Sequence, residues 1–198
     1  MERNKMPQNL LRCGLAVLLY LLAGIPVALA GSPQQQLLDT AQGFYSWTIE
    51  HGNEVSKLEP RIKDISGTSR FYLDTSTLDA YTARLMQSGY FAPDFPAAVS
   101  RYYKRYEAEF SGLGQETFDQ LKHDGRGPMM ETEDMDPFFC AQEYEYKNDF
   151  VSGMKIKSAK WRGQTATATV VSPYQWETKF LFTRVEKRWL ISGFCVYK

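Results

Sequence analysis

Hydrophobic residues along this chain keep one period through most of its length and another in its last quarter. Leu37, Leu38, Ala41, Phe44, Tyr45, Thr48 and Ile49 recur every three or four positions, the spacing of one face of a helix. Ser32-Pro33-Gln34-Gln35 precedes them with a capping serine, a proline at the first helical position and a glutamine placed to close a capping box. Gly52, after His51, is placed to end that helix in the left-handed conformation. From Asn53 to Ser69 the pattern lapses, with Pro60 and Gly67 as breakers. Ser76-Thr77-Leu78-Asp79 opens a second helix, with Leu78, Tyr81 and Leu85 on one face and Gly89 as its stop. A third starts near Pro96 and carries Val99, Tyr102, Tyr103, Tyr106 and Phe110 as its apolar stripe. Arg101, Lys104 and Arg105 fall largely on the other side and read as a solvated face in preference to an anion site.

Ser111 to Asp136 reads as a long irregular connection, with its glycines, the Gly127-Pro128 pair and a short helical stretch around Gln115–His123. After about Ser152 the period becomes two. Met154–Trp161, Thr165–Ser172, Glu177–Val185 and Arg188–Tyr197 are then four strands joined by connections short enough for antiparallel hairpins. Helices first and strands afterwards is an α+β order: N-terminal helices packed on a curved, four-stranded antiparallel C-terminal sheet.

The amino end has a different character. Arg3, Lys5 and Arg12 precede an uncharged run from Cys13 to Ala30, and Ala28-Leu29-Ala30 supplies small residues at the positions a signal peptidase reads. We therefore expect a signal peptide over residues 1–30, cleaved before Gly31, a single domain over residues 31–198, and a periplasmic or secreted location. The run is slightly short of the ~20 apolar residues of a membrane span, so an uncut anchor is the alternative. A lipoprotein would need its cysteine after the apolar run, whereas Cys13 stands at its start.

Without residues 1–30 the chain has twenty Lys and Arg against twenty-two Asp and Glu. That balance offers no overall basic field for phosphate backbones, so no nucleic-acid partner is expected. Cys140 and Cys195 remain as an even pair, which in an oxidising compartment is more often a disulfide than two free thiols. Such a bond closes a loop of about 56 residues and contributes ~4 kcal/mol on the chain-entropy account. Neither cysteine sits in an activating motif for a nucleophile.

Three blocks resemble a known family. Phe44-Tyr45-Ser46-Trp47, the segment Asp136-Pro137-Phe138-Phe139-Cys140-Ala141-Gln142-Glu143 and the strand Arg188-Trp189-Leu190-Ile191 resemble bacterial envelope proteins grouped as domain of unknown function 3828. That family is similar to the cone-shaped α+β superfamily of nuclear transport factor two and ketosteroid isomerase. The resemblance implies a pocket between the helices and the concave sheet, with candidate ligand-binding residues Tyr45, Trp47, Asp136, Gln142 and Glu143. A carboxylate in an aromatic-lined cavity would have its pKa raised and be fit for proton abstraction. Against this, Asp136 before Pro137 is a common turn or cap residue, and aromatic residues at helical spacing are usually core.

No cofactor is expected and no metal site is assigned. His51 and His123 stand far apart, and Glu131, Glu133, Asp134 and Asp136 lack the glycine-centred loop of a calcium site. Aromatic residues make up 14% of the chain, and Tyr90, Phe91, Tyr174 and Trp176 fall between elements, where they could anchor a protein partner. The leading expectation is thus a noncatalytic periplasmic binding protein, with an immunity protein against an envelope-directed bacterial toxin as its concrete form. The alternatives are a small-molecule enzyme or carrier of ketosteroid-isomerase type, and a structural envelope protein that forms homodimers through the outer face of its sheet.

Overall fold

The long first helix, α1 (Pro33–Val55), begins as its sequence predicts: the Ser32 hydroxyl accepts a hydrogen bond from the Gln35 N–H at 3.2 Å, and Pro33 occupies the first turn. It does not stop at Gly52. The helix continues for another turn because Val55, fully buried, lies on the same face as Thr48 and repays a glycine inside the helix. The computed structural model describes residues 31–132, 135–141 and 149–198. The expected signal peptide and its cleavage site lie outside them, as do Gln142 and Glu143. Among the described residues no helix is long and apolar enough to cross a membrane.

A short 3-10 turn (Ser56–Leu58) leads into a hairpin of β1 (Arg61–Asp64) and β2 (Phe71–Asp74), which the sequence pattern did not predict. Lys63 bonds Asp74 across it at 2.5 Å. Next come α2 (Leu78–Gln87), α3 (Phe95–Gly112) and α4 (Gln115–His123). The C-terminal meander is β3 (Lys155–Arg162), β4 (Thr165–Val171), β5 (Glu177–Val185) and β6 (Arg188–Phe194), antiparallel in that order. Bulges between Ile156 and Ser158 and between Leu181 and Phe182 bend it. The last strand ends before Cys195, because Phe194 and Tyr197 exchange backbone hydrogen bonds and Cys195 turns the chain with φ 51°.

Four helices therefore pack against a four-stranded antiparallel sheet, the α+β arrangement expected. The core lies between α1 and the sheet. Leu37, Ala41, Phe44 and Tyr45 face Ala166 and Ala168 of β4, Phe180 and Phe182 of β5 and Ile191 of β6, all buried. Phe44 makes edge contacts with Phe91, Phe180 and Phe194, their centroids 5.0–6.3 Å away. Tyr90 to Ala92 runs along β6, with Ala92 N–H donating to the Ile191 carbonyl and Ile191 N–H to that of Tyr90, both at 2.8 Å. That edge of the sheet is thereby covered.

Candidate functional site

Tyr45 and Asp136 are brought near one another, but neither faces a ligand cavity. Tyr45 is 2% exposed and its hydroxyl shares a 2.8 Å hydrogen bond with the Thr178 hydroxyl, tying α1 to β5. Burial pushes its pKa far up, and the Asp136 charge adds to that rise. Asp136 serves its own loop: Oδ1 accepts from the N–H groups of Phe138 (2.8 Å) and Phe139 (3.0 Å), while its carbonyl accepts from Cys140 N–H at 2.9 Å. The carboxylate is thus an Asx-type cap that shapes the turn presenting Cys140.

Trp47 lies on another face of α1, where its ring meets His51 at 5.5 Å and the Arg84 guanidinium at 5.6 Å. Tyr45, Trp47 and Asp136 consequently do not form one constellation, and Gln142 and Glu143 lie outside the described residues. Thr48, Asn53, Asp136 and Phe138 border a crevice of about 50 Å³, room for a water molecule or two, and the buried Thr48 hydroxyl has no hydrogen-bond partner among the described residues. The interior between α1 and the sheet is filled by aromatic rings, among them Phe44, Phe91, Phe180 and Phe194.

The loop aromatics also differ from expectation. Phe91 is 3% exposed and stacks on Phe95 at 4.0 Å, while Tyr174 and Trp176 are half-buried against Phe150. They pack against the core.

Cys140 and Cys195 form the expected disulfide, with Cα atoms 5.6 Å apart. Both are half-buried and both adopt φ near +50°, a costly conformation for residues with a Cβ, which the crosslink and the flanking turns hold in place. The disulfide lines an open cleft of about 660 Å³. One wall is α3, with Arg101, Tyr102 and Arg105; the other is the start of β5 and the C-terminal turn. The basic trio is therefore not simply a solvated face. Arg101 donates to the Lys198 carbonyl at 3.0 Å, and Arg105 lies 4.5 Å from the centre of the Tyr106 ring and 3.5 Å from Glu131. Only Lys104 points freely to solvent. Glu177 to Lys179 pair with β4 but have no partner on the β6 side among the described residues, because β6 pairing starts at Phe180. A strand edge is left open in the cleft.

Beneath α3, sequence reasoning missed a buried polar chain. Tyr103 donates to Glu59 at 3.0 Å, Tyr103 and Tyr197 share a bond at 3.0 Å, and Tyr197 and Tyr81 share one at 2.9 Å. With Glu59 ionised, the order of protons is dictated. Tyr103 has one proton and gives it to the carboxylate, so Tyr197 must donate to Tyr103 and Tyr81 to Tyr197. Burial raises the pKa of Glu59, opposed by the Tyr103 hydrogen bond, and holds all three tyrosines protonated far beyond their ordinary range. The three tyrosines lie on apolar faces, so periodicity marks them as core and says nothing of their hydroxyls. Among the described residues no group of three His, Cys, Asp or Glu is placed to hold a metal ion.

Compared with protein-family models, curated proteins and solved structures, the chain shows no match.

Proposed function

We propose that the chain is a noncatalytic extracytoplasmic binding protein that receives a segment of a partner protein in the cleft over the Cys140–Cys195 disulfide. The observation that carries this reading is the contrast between a ring-filled interior and a roomy surface cleft with mixed charge and an open strand edge. Extended segments pair with such edges through their backbones, while flanking side chains supply selectivity. The disulfide suggests an extracytoplasmic, oxidising compartment. A periplasmic location after loss of residues 1–30, and membership of the envelope family resembled by the Asp136–Glu143 block, belong to the same proposal.

Its specific form is an immunity protein that blocks an envelope-directed bacterial toxin. Residues 31–151, which supply every helix among the described residues, hold twenty acidic residues against eleven basic ones, a surplus that would attract a basic partner at long range, while the cleft itself sets Arg101, Arg105, Lys179 and Lys198 against Glu131 and Glu177. The test is co-purification with a secreted toxin encoded beside the gene, using the native chain and Val196→Trp, which fills the cleft. A stoichiometric complex that is lost in Val196→Trp, together with loss of growth protection, is the expected result. Undiminished binding by that variant removes the cleft from the interface, and absence of any complex removes the immunity role.

A further inference from the structure

The near-neutral balance of the chain conceals a segregation of charge. Residues 152–198 carry nine Lys and Arg against two Glu, the reverse of the acidic helical part. Strand register shows where several of these cations go. Ala166, Ala168 and Val170 are buried under the helices, so Thr165, Thr167 and Thr169 face outward. Arg162, Lys160 and Ser158 lie beside those threonines on β3, and Thr183, Leu181 and Lys179 on β5. Lys155 stands opposite Val171, and Lys157 occupies the bulge and pairs with Glu177. All five cations are exposed, and Lys155, Lys160, Arg162 and Lys179 have no ion-pair partner among the described residues.

We propose that this outer sheet face docks on the phosphate-bearing surface of an anionic lipid bilayer. Four of its cations line β3 over about 25 Å and the fifth stands on β5, roughly 10 Å away across β4, which suits a spread array of charges better than a single anion. Threonine hydroxyls between them can bond headgroup oxygens. The outward face has no row of aromatic side chains for stacking bases, which separates it from a single-stranded nucleic-acid platform. The acidic helical side is repelled by the same surface, so docking is oriented, with the helices directed away from the lipid.

The test is co-sedimentation of the chain from Gly31, which holds the compact unit Ser32–Lys198, with vesicles. Mixed phosphatidylglycerol and phosphatidylcholine vesicles are compared with phosphatidylcholine alone over a range of salt. Preferential binding to the anionic vesicles that weakens with salt is expected. Each neutralised cation near the surface is worth roughly fivefold, so Lys155→Gln, Lys160→Gln and Arg162→Gln together should weaken partition on the order of a hundredfold. Lys57→Gln, Lys104→Gln and Arg126→Gln, exposed and on the helical side, change net charge equally and should not weaken it. Equal loss in both triple variants, no preference for anionic vesicles at low salt, or tighter binding to soluble heparin than to vesicles would overturn the proposal. The salt series on the native chain decides the matter even if a variant fails to fold.

Discussion

The buried tyrosine chain makes an ordered prediction, because its hydroxyls are not equivalent. Tyr81, Tyr103 and Tyr197 are all fully buried, so none can turn to water when a partner is removed. Tyr81 stands at the donating end. In Tyr81→Phe the Tyr197 hydroxyl still donates to Tyr103 and Tyr103 still donates to Glu59, so only one hydrogen bond disappears, at about 0.5–1.5 kcal/mol. Tyr103→Phe cuts the chain at its acceptor end. Tyr81 and Tyr197 then have two protons and one bond between them, which strands a buried donor, and Glu59 loses the hydroxyl that favours its charge. A stranded donor costs about 1–3 kcal/mol on top of the lost bond, which places Tyr103→Phe about 2–4 kcal/mol below the native protein. Urea unfolding at pH 7 measures both. The penalty of Tyr103→Phe should also shrink at pH 4, where a protonated Glu59 no longer needs a donor. If Tyr81→Phe proved as costly as Tyr103→Phe, the proton order from Tyr81 through to Glu59 would be wrong.

The same carboxylate predicts a pH dependence. Its folded pKa is raised above the ordinary 4.5, so the native state holds its proton more firmly than the unfolded chain. The related stability is fully present below the unfolded value and is lost as pH rises through the folded one, a slope that Glu59→Gln should abolish in urea midpoints measured from pH 4 to 7. Phe44→Ala removes the ring shared by Phe91, Phe180 and Phe194 and should cost about 3–5 kcal/mol in the same assay. Gly193→Ala would place a Cβ 2.8 Å from the Tyr197 carbonyl oxygen, so calorimetry should show a lower Tm, by far more than for Gly112→Ala, where the added atom meets open space. Replacing Cys140 and Cys195 together with serine should cost up to about 4 kcal/mol, by the loop that the bond closes; an unchanged unfolding midpoint would show the crosslink to be dispensable.

Legibility in the sequence followed how local each determinant is. Thr165–Val171 and Glu177–Val185 alternate cleanly around Gly163 and other turn residues, so the meander could be read almost to the residue. Arg61–Asp64 offers one apolar residue in four, too little alternation to announce a strand, and its pairing with Phe71–Asp74 depends on packing under α3. Gly52 is a fair stop signal taken alone; the burial of Val55, a tertiary effect, overrides it. The choice between Asp136 as a base and Asp136 as a cap turns on where one carboxylate points, and two backbone N–H groups nearby in sequence claim it. The tyrosine chain joins residues 94 and 116 positions apart, a juxtaposition no window along the chain contains. Charge segregation, by contrast, is plain in the sequence and is hidden only by summing the whole chain.

That segregation bears on how the sheet avoids other sheets. One edge, β6, is covered by the chain's own Tyr90–Ala92, while the other, β3, has four basic residues in eight. Lysine-rich edges resist pairing with a second strand, because association must bring like charges together with little solvent to screen them. An isologous dimer through the outer faces would set Lys160, Arg162 and Lys179 against copies of themselves, so a homodimer of that geometry is electrostatically opposed. The charges that repel a second copy are the same ones that attract an anionic surface. Edge protection and membrane docking therefore draw on one set of side chains, whereas the backbone of Glu177–Lys179, facing the cleft and flanked by α3, is the edge on which the proposed partner segment would pair.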